Sequence, residues 1–412
     1  MKLPVTLHDV EAAAERIGKW IVRTPMAEAQ ALSEKTGARV FLKLETRQRT
    51  GSFKDRGAVN RLLSLVQGQA EPVRGVIAMS AGNHAQSVAY QCKRLGIPAT
   101  IVMPETTPFT KVRRTKQHGA RVVLCGDTLV EAAQRAELIA QDEHLTLVHP
   151  YDDERVIAGQ GSVALEMLRD VPDLDALIVP VGGGGLLAGT LVAVKEIKPS
   201  IRVIGVQTQT YPSLYNILHG LDPVHGGQTI AEGIAVKSIG AMPLEIARAL
   251  LDETALVGEQ AIECAIHLLL EEEKVLAEGA GAAPIAALVA SLEQYAGKNV
   301  GLIISGGNID TGLLANVIMR VRLREGRVVR LRIEINDKPG VLADIARMIG
   351  DTGANIIDVV HHRFFSDIPS KQAELDVTFE TRSPSDVDQI LNKLGDADYP
   401  ARVLESTARP NA

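Results

Sequence analysis

Ala176-Leu-Ile-Val-Pro-Val-Gly-Gly-Gly-Gly-Leu186 joins an apolar, β-branched run to an amphipathic segment through four consecutive glycines. The run Ala176–Val181 has no alternation of polar and apolar residues, as expected of a strand covered on both faces. A helix is expected over Leu186–Ile197, so the unit is strand, glycine turn, helix. The same alternation runs outward from about residue 38. Strands are expected at Val40–Leu44, Gly75–Met79, Ala99–Met103, Arg121–Leu124, Leu145–Val148, Arg202–Val206 and Asn299–Ile304. Helices are expected at Val10–Ile17, Asn83–Leu95, Thr110–His118, Val130–Asp142, Glu154–Arg169 and Gln260–Glu273. Short buried strands alternating with longer helices build mostly parallel sheets with crossover helices, so the fold class is α/β and doubly wound.

The pattern breaks at Arg320-Val-Arg-Leu-Arg-Glu-Gly-Arg327, a charged stretch that marks a domain boundary. Beyond it lie strand Val328–Asn336, helix Gly340–Asp351, strands Asn355–Phe365 and Ala373–Glu380, helix Ser385–Leu394 and strand Arg402–Glu405. That order, βαββαβ, is ferredoxin-like. The domains are expected over 1–320, with a small lobe inserted at about 48–150, and over 327–405. A chain of 412 residues accommodates them at roughly 100–200 residues per domain.

Hydrophobic residues at 46% and charged residues at 23% describe a globular chain rather than a disordered one. A net charge of -6 gives no electrostatic footprint for nucleic acid. Cys92, Cys125 and Cys264 are odd in number and far apart, which argues against disulfides and a zinc site; they are expected as buried, small apolar residues. No signal segment opens the chain and no apolar run approaches a membrane span, so a cytoplasmic location is expected.

Four segments carry the chemistry. Lys54, in Thr50-Gly-Ser-Phe-Lys-Asp-Arg-Gly57, follows a turn and precedes a helix. A lysine desolvated near a helix N-terminus keeps some neutral amine with which to attack a carbonyl. Gly182, Gly183, Gly184 and Gly185 present bare amides at a helix start, suited to a phosphate or to a tight turn, and match no nucleotide-binding pattern. Ser80 and Asn83, in Met79-Ser-Ala-Gly-Asn-His84, hold a carboxylate or cap their own helix. Ser305, in Ile304-Ser-Gly-Gly-Asn308, ends the last strand at the edge where open α/β sheets bind ligands.

These motifs, in this order, resemble the tryptophan-synthase-β-like (fold type II) pyridoxal-phosphate family, and within it the threonine dehydratases. The resemblance implies a two-lobed catalytic domain in which Lys54 joins pyridoxal 5'-phosphate covalently and then acts as base. Phe53 would pack on the ring, and Asn83 would bond its hydroxyl. Gly182 to Gly185 and Leu186 would hold the phosphate, and Ser305 with Gly306 would meet the ring nitrogen. Ser80, Ala81, Gly82, Asn83 and His84 would bind the substrate, Ser80 also having a catalytic place. Glu278, in Ala277-Glu-Gly-Ala-Gly281, matches an acidic position lining the family's site and equally fits a helix-cap carboxylate. Racemases of the family carry a hydroxyl residue at the place of Ala81, which has no proton to give, so elimination is expected over racemisation. A cation site of some relatives lies near Gln228 and Glu232; Gln228 is uncharged, and no metal is expected.

Ile335-Asn-Asp-Lys-Pro-Gly-Val-Leu342 and Gly353-Ala-Asn-Ile-Ile357 are similar to an ACT domain. The resemblance implies an amino-acid effector contacted by Asp337, Gly340, Val341, Leu342 and Asn355, with isoleucine or valine as the analogous ligand, or else a purely structural pairing module. His361 and His362 are adjacent on a strand, point to opposite faces and do not form a chelate. The expected function is conversion of L-threonine to 2-oxobutanoate and ammonia, with L-serine as a second substrate, in a homo-oligomer. Its rivals are a serine racemase or serine dehydratase, a 3-hydroxyaspartate ammonia-lyase and a non-catalytic amino-acid sensor.

Overall fold

The computed structural model describes residues 3–67, 73–223, 226–363 and 372–404. It divides into two compact units, Met1–Ile309 and Asp310–Ala412. In the first, the strands are β1 (Met26–Glu28), β2 (Arg39–Leu44), β3 (Val76–Met79), β4 (Ala99–Met103), β5 (Arg121–Leu124), β6 (Thr146–Leu147), β7 (Ala176–Pro180), β8 (Arg202–Thr208), β9 (Glu253–Val257) and β10 (Asn299–Ile304). They form two sheets. The larger runs β1-β2-β10-β7-β8-β9, parallel except for β1, and the smaller runs β5-β4-β3-β6, wholly parallel.

Strand β7 is buried at every position because helices cover both faces of its sheet, the burial its unbroken apolar run demands. Ile157, Val163, Leu177, Leu187, Leu191 and Ile303 share one core beside this sheet. Leu62, Val76, Val88, Ile101 and Met103 form a separate core beside the small one. Each lobe therefore holds its own strand ends steady.

A buried ion cluster ties the lobes' common frame together. The Arg56 guanidinium donates to Glu45 at 2.7 and 2.8 Å and to both oxygens of Glu166 at 2.8 Å. Lys43 donates to Glu166 at 2.6 Å and to the Thr24 carbonyl at 2.7 Å. Two cations thus face two hydrogen-bonded carboxylates, the pairing that lets charge tolerate burial. Arg56 lies two residues after Lys54, so this cluster pins the first turn of the helix Lys54–Gln67.

In the second unit, β11 (Val328–Asn336), β12 (Asn355–His362), β13 (Gln372–Glu380) and β14 (Ala401–Val403) form an antiparallel sheet ordered β12-β13-β11-β14. Helices Val341–Gly350 and Pro384–Asp396 complete the βαββαβ order. The division at Ile309 lies upstream of Arg320–Arg327 because the helix Thr311–Arg324 belongs to the second unit, where Arg322 meets Glu380 at 2.8 Å. Phe364, Phe365 and Glu405, the expected ends of two strands, lie outside the described residues.

One expectation is corrected. Only Cys92 is buried; Cys125 is half-buried and Cys264 exposed, and none of the three is in a disulfide. Cys264 occupies the outer face of the helix Glu259–Glu271, whose inner face is Ile262, Ala265 and Ile266. Among the described residues no helix is long and apolar enough to cross a membrane.

Candidate active site

The chemistry-bearing segments lie at carboxyl ends of parallel strands. Strand β2 leads through Glu45–Arg47 and a loop to Lys54, the first residue of its helix. After β3 comes Ser80–Gly82, then the helix Asn83–Leu95. Similarly, β7 leads through Val181–Gly184 to the helix Gly185–Ile197, and β10 is followed directly by Ser305. Side-chain-poor loops at strand ends, opening on helix N-termini, leave amides free for a ligand.

The segments interlock through main-chain bonds. Ser52 bridges antiparallel to Gly306, Phe53 N donates to the Ser305 carbonyl at 3.0 Å, and Gly307 N donates to the Gly51 carbonyl at 3.0 Å. Glu278 N donates to the Gly306 carbonyl at 3.0 Å, which brings the start of the helix Gly279–Ala290 to the same point. Three chain segments converge there.

The Lys54 amine donates to the Pro150 carbonyl at 2.7 Å and lies 5.1 Å from the Phe53 ring centre. Burial lowers its pKa from 10.5 to about 8, a shift that the Glu278 charge opposes. A useful fraction of neutral amine therefore exists near neutral pH. Burial in turn raises Glu278 to about 7, against the hydrogen bond from Asn83 that favours its ionised form.

Asn83 is the first residue of its helix, and its amide nitrogen donates to Glu278 Oε1 at 2.7 Å. Glu278 occupies the position before the helix Gly279–Ala290, yet its side chain makes no capping bond. Its carboxyl instead turns to Asn83. Ser80 Oγ accepts from Gly82 N at 3.1 Å, leaving the first-turn amides of the helix without intrahelical partners. His84 is buried, its Nε2 2.9 Å from the Val148 carbonyl, and burial followed by the Lys54 charge lowers its pKa to about 3. It is a neutral structural donor. Ser305 and Gly306 are buried, and Ala81 and Gly82 are half-buried between Ser80 and Asn83.

The glycine run is pressed against its surroundings. A Cβ on Gly183 would lie 2.2 Å from the Tyr151 ring, and Gly184 holds φ +93° with Pro243 2.6 Å from where a Cβ would be. Only glycine satisfies both contacts. The following residue, Leu186, is buried in the helix. This amine, the bare amides, the Asn83 amide and the Ser305 hydroxyl fit pyridoxal phosphate, which needs an amine for its aldehyde, donors for its phosphate and polar partners for its ring.

His149-Pro150-Tyr151 was not singled out from the sequence, although it follows β6 as the other site loops follow their strands. His149 Nδ1 accepts from Asp152 N at 2.8 Å, and its ring meets Tyr151 edge-on at 4.7 Å. The segment supplies both the acceptor for Lys54 and the aromatic face against Gly183.

Among the described residues no group of three or more His, Cys, Asp or Glu is arranged to hold a metal. Gln228 is exposed and Glu232 pairs with Lys111. In the second unit Asp337 and Gly340 (φ +95°) lie in the turn before the helix Val341–Gly350, and Val341 and Leu342 are its first two residues. Asp337 accepts from Arg363 at 3.1 Å, with His361 3.9 Å away. Asn355 opens β12 opposite Glu380. His362 instead meets Asp376 at 3.1 Å, so the two adjacent histidines take different partners.

Residues 17–306 match the family described as pyridoxal-phosphate dependent enzymes, and residues 329–398 match the ACT domain. The chain is 40% identical to an L-threonine ammonia-lyase of Thermotoga maritima over 97% of its own length and 100% of the relative's. The processed form of threonine deaminase isoform 2 from Solanum lycopersicum superimposes with a TM-score of 0.71 and 34% identity, covering 76% of this chain and 86% of that one. Serine racemase from Dictyostelium discoideum superimposes with a TM-score of 0.69 and 36% identity, covering 74% of this chain and 99% of its own. With a family match spanning the catalytic segments and a second match beyond them, the chain belongs to the pyridoxal-phosphate dependent enzymes and carries a C-terminal ACT domain.

Proposed function

We propose that this chain is a pyridoxal-phosphate-dependent L-threonine ammonia-lyase, converting L-threonine to 2-oxobutanoate and ammonia and acting also on L-serine to give pyruvate. The observation that carries the reading is Lys54, with its amine held 2.7 Å from the Pro150 carbonyl in a site whose full chain matches relatives of that name. When bound, pyridoxal phosphate withdraws electrons from Cα of an amino acid and makes its proton removable. The residues of the chain supply the rest. Lys54, once neutral, takes that proton, and its lowered pKa keeps the base available. Ser80 and the first-turn amides of the helix Asn83–Leu95 receive the substrate carboxylate. Gly182 to Gly185 and Leu186 would hold the cofactor phosphate, Phe53 would pack on its ring, Asn83 would bond its hydroxyl, and Ser305 with Gly306 would meet its nitrogen.

Ser305 is a neutral hydroxyl and does not hold a ring nitrogen protonated as a carboxylate would, which favours loss of the β-hydroxyl over transamination. Ala81 offers no proton to the opposite face of Cα, which favours elimination over racemisation. The ACT domain binds an amino acid at Asp337, Gly340, Val341, Leu342 and Asn355 and regulates turnover, within a cytoplasmic homo-oligomer. A keto-acid assay with L-threonine and L-serine, repeated with each branched-chain amino acid, tests the reading. Release of 2-oxobutanoate, altered by one of the effectors, is expected; absence of keto acid from either substrate contradicts it.

A further inference from the structure

Asn308 closes the segment Ser305-Gly306-Gly307-Asn308, which lies antiparallel on the loop that carries Lys54. Its Nδ2 is 2.7 Å from the Thr50 carbonyl oxygen and 2.7 Å from Asn83 Oδ1. A carbonyl accepts and never donates, so the Thr50 contact fixes which end of the Asn308 amide points inward. Both of its hydrogens are then used. The second requires that Asn83 present its oxygen to Asn308, and the Asn83 nitrogen is thereby turned toward Glu278, 2.7 Å away. One of the two Asn83 hydrogens is consumed by Glu278 and the other remains. The orientation of Asn83 is thus set from a main-chain carbonyl through one intermediate side chain.

We propose that Asn308 is a positioning residue that fixes the Asn83 amide so that an N–H, rather than a carbonyl oxygen, is offered to the ring hydroxyl of the cofactor. The inference rests on the pyridoxal-phosphate reading of the site. A main-chain carbonyl cannot titrate, so the bond from the Asn308 side chain to Thr50 does not depend on the charge on Glu278, although the Asn308 main-chain N–H also meets the Glu278 carboxylate. Without Asn308, a protonated Glu278 could donate to Asn83 Oδ1 and the amide would be free to turn over. The acceptor would then face the ring hydroxyl.

The test uses the full chain loaded with pyridoxal phosphate, compared with Asn308→Asp, Asn308→Ala, Asn83→Ala and the double variant Asn308→Ala/Asn83→Ala. Asn308→Asp keeps the shape and removes the donors. The readouts are the ratio of the visible to the near-ultraviolet cofactor band, which reports where the ring-oxygen proton resides, and cofactor affinity. Loss of one hydrogen bond worth about 1 kcal/mol shifts that ratio about fivefold. Such a shift is expected in both single Asn308 variants and in Asn83→Ala, with no further shift in the double variant, because residues acting through one another are not additive. A wild-type ratio in Asn308→Asp, or a shift that adds to that of Asn83→Ala, overturns the proposal. Lower affinity with an unchanged ratio in both Asn308 variants also overturns it, since that is the result of a purely structural role. A loaded parent chain without a borohydride-sensitive visible band overturns the cofactor reading itself.

Discussion

Lys54 and Glu278 are two ionisable groups that burial pushes toward one another, the amine down to about 8 and the carboxyl up to about 7. Each shift has a consequence for the cofactor-free chain. A lysine whose folded pKa lies below its unfolded value destabilises the fold while it is charged, and the penalty fades as pH rises from about 8 through 10.5. Lys54→Met should therefore raise the thermal stability of the cofactor-free chain at pH 7 by about 1–2 kcal/mol while abolishing turnover, with the stability gain vanishing above pH 10.5. Thermal melts across pH read this directly. For Glu278 the sign is reversed: the folded chain holds a proton that the unfolded chain has lost, so stability falls as pH rises from 4.5 through about 7. Glu278→Gln, measured against the parent, should gain relative stability across that interval and lose one ionisation near pH 7 from the kcat/KM profile. A stability difference that does not change with pH would contradict the assignment.

At the scale of elements, the glycine turn after β7 and the Tyr151 ring are mutually exclusive with any side chain at 183. Gly183→Ala must displace an aromatic ring at 2.2 Å, so it is expected to lower stability by about 1–3 kcal/mol and to weaken cofactor binding, both measurable by titration and melting. The strand-and-helix frame was legible because β7, β8 and β10 are apolar runs long enough to recognise without alternation. Strands β1 and β9 were not, because Met26–Glu28 is three residues long and Glu253–Val257 is half-buried at the sheet edge, leaving no period to read. The helix Gly279–Ala290 escaped because it is apolar on all sides and contains Pro284, so it has no amphipathic stripe. Lys54, Asn83, the glycines and Ser305 were visible as motifs. The roles of Pro150 and Asn308 were not, since each depends on a contact across about 100 residues or more of chain, 96 to Lys54 and 225 to Asn83.

For the molecule as a whole, one compact unit spans Met1–Ile309 and carries the pyridoxal-phosphate family match, and the other spans Asp310–Ala412 and carries the ACT domain, so the proposed turnover and the proposed control can be tested separately. In the ACT domain Asp337 pairs with Arg363, with His361 3.9 Å away, and under the proposed function this carboxylate is an effector contact. Asp337→Ala in the full chain should leave kcat for L-threonine within about twofold and abolish the response to a branched-chain effector. Both units depend on the same premise, that the catalytic one carries its cofactor on Lys54. Borohydride reduction of the loaded chain, followed by digestion and peptide mass analysis, tests that premise most directly. The predicted result is one phosphopyridoxyl group on the peptide containing Lys54; an adduct on another lysine, or none in a chain that still turns over threonine, would contradict it.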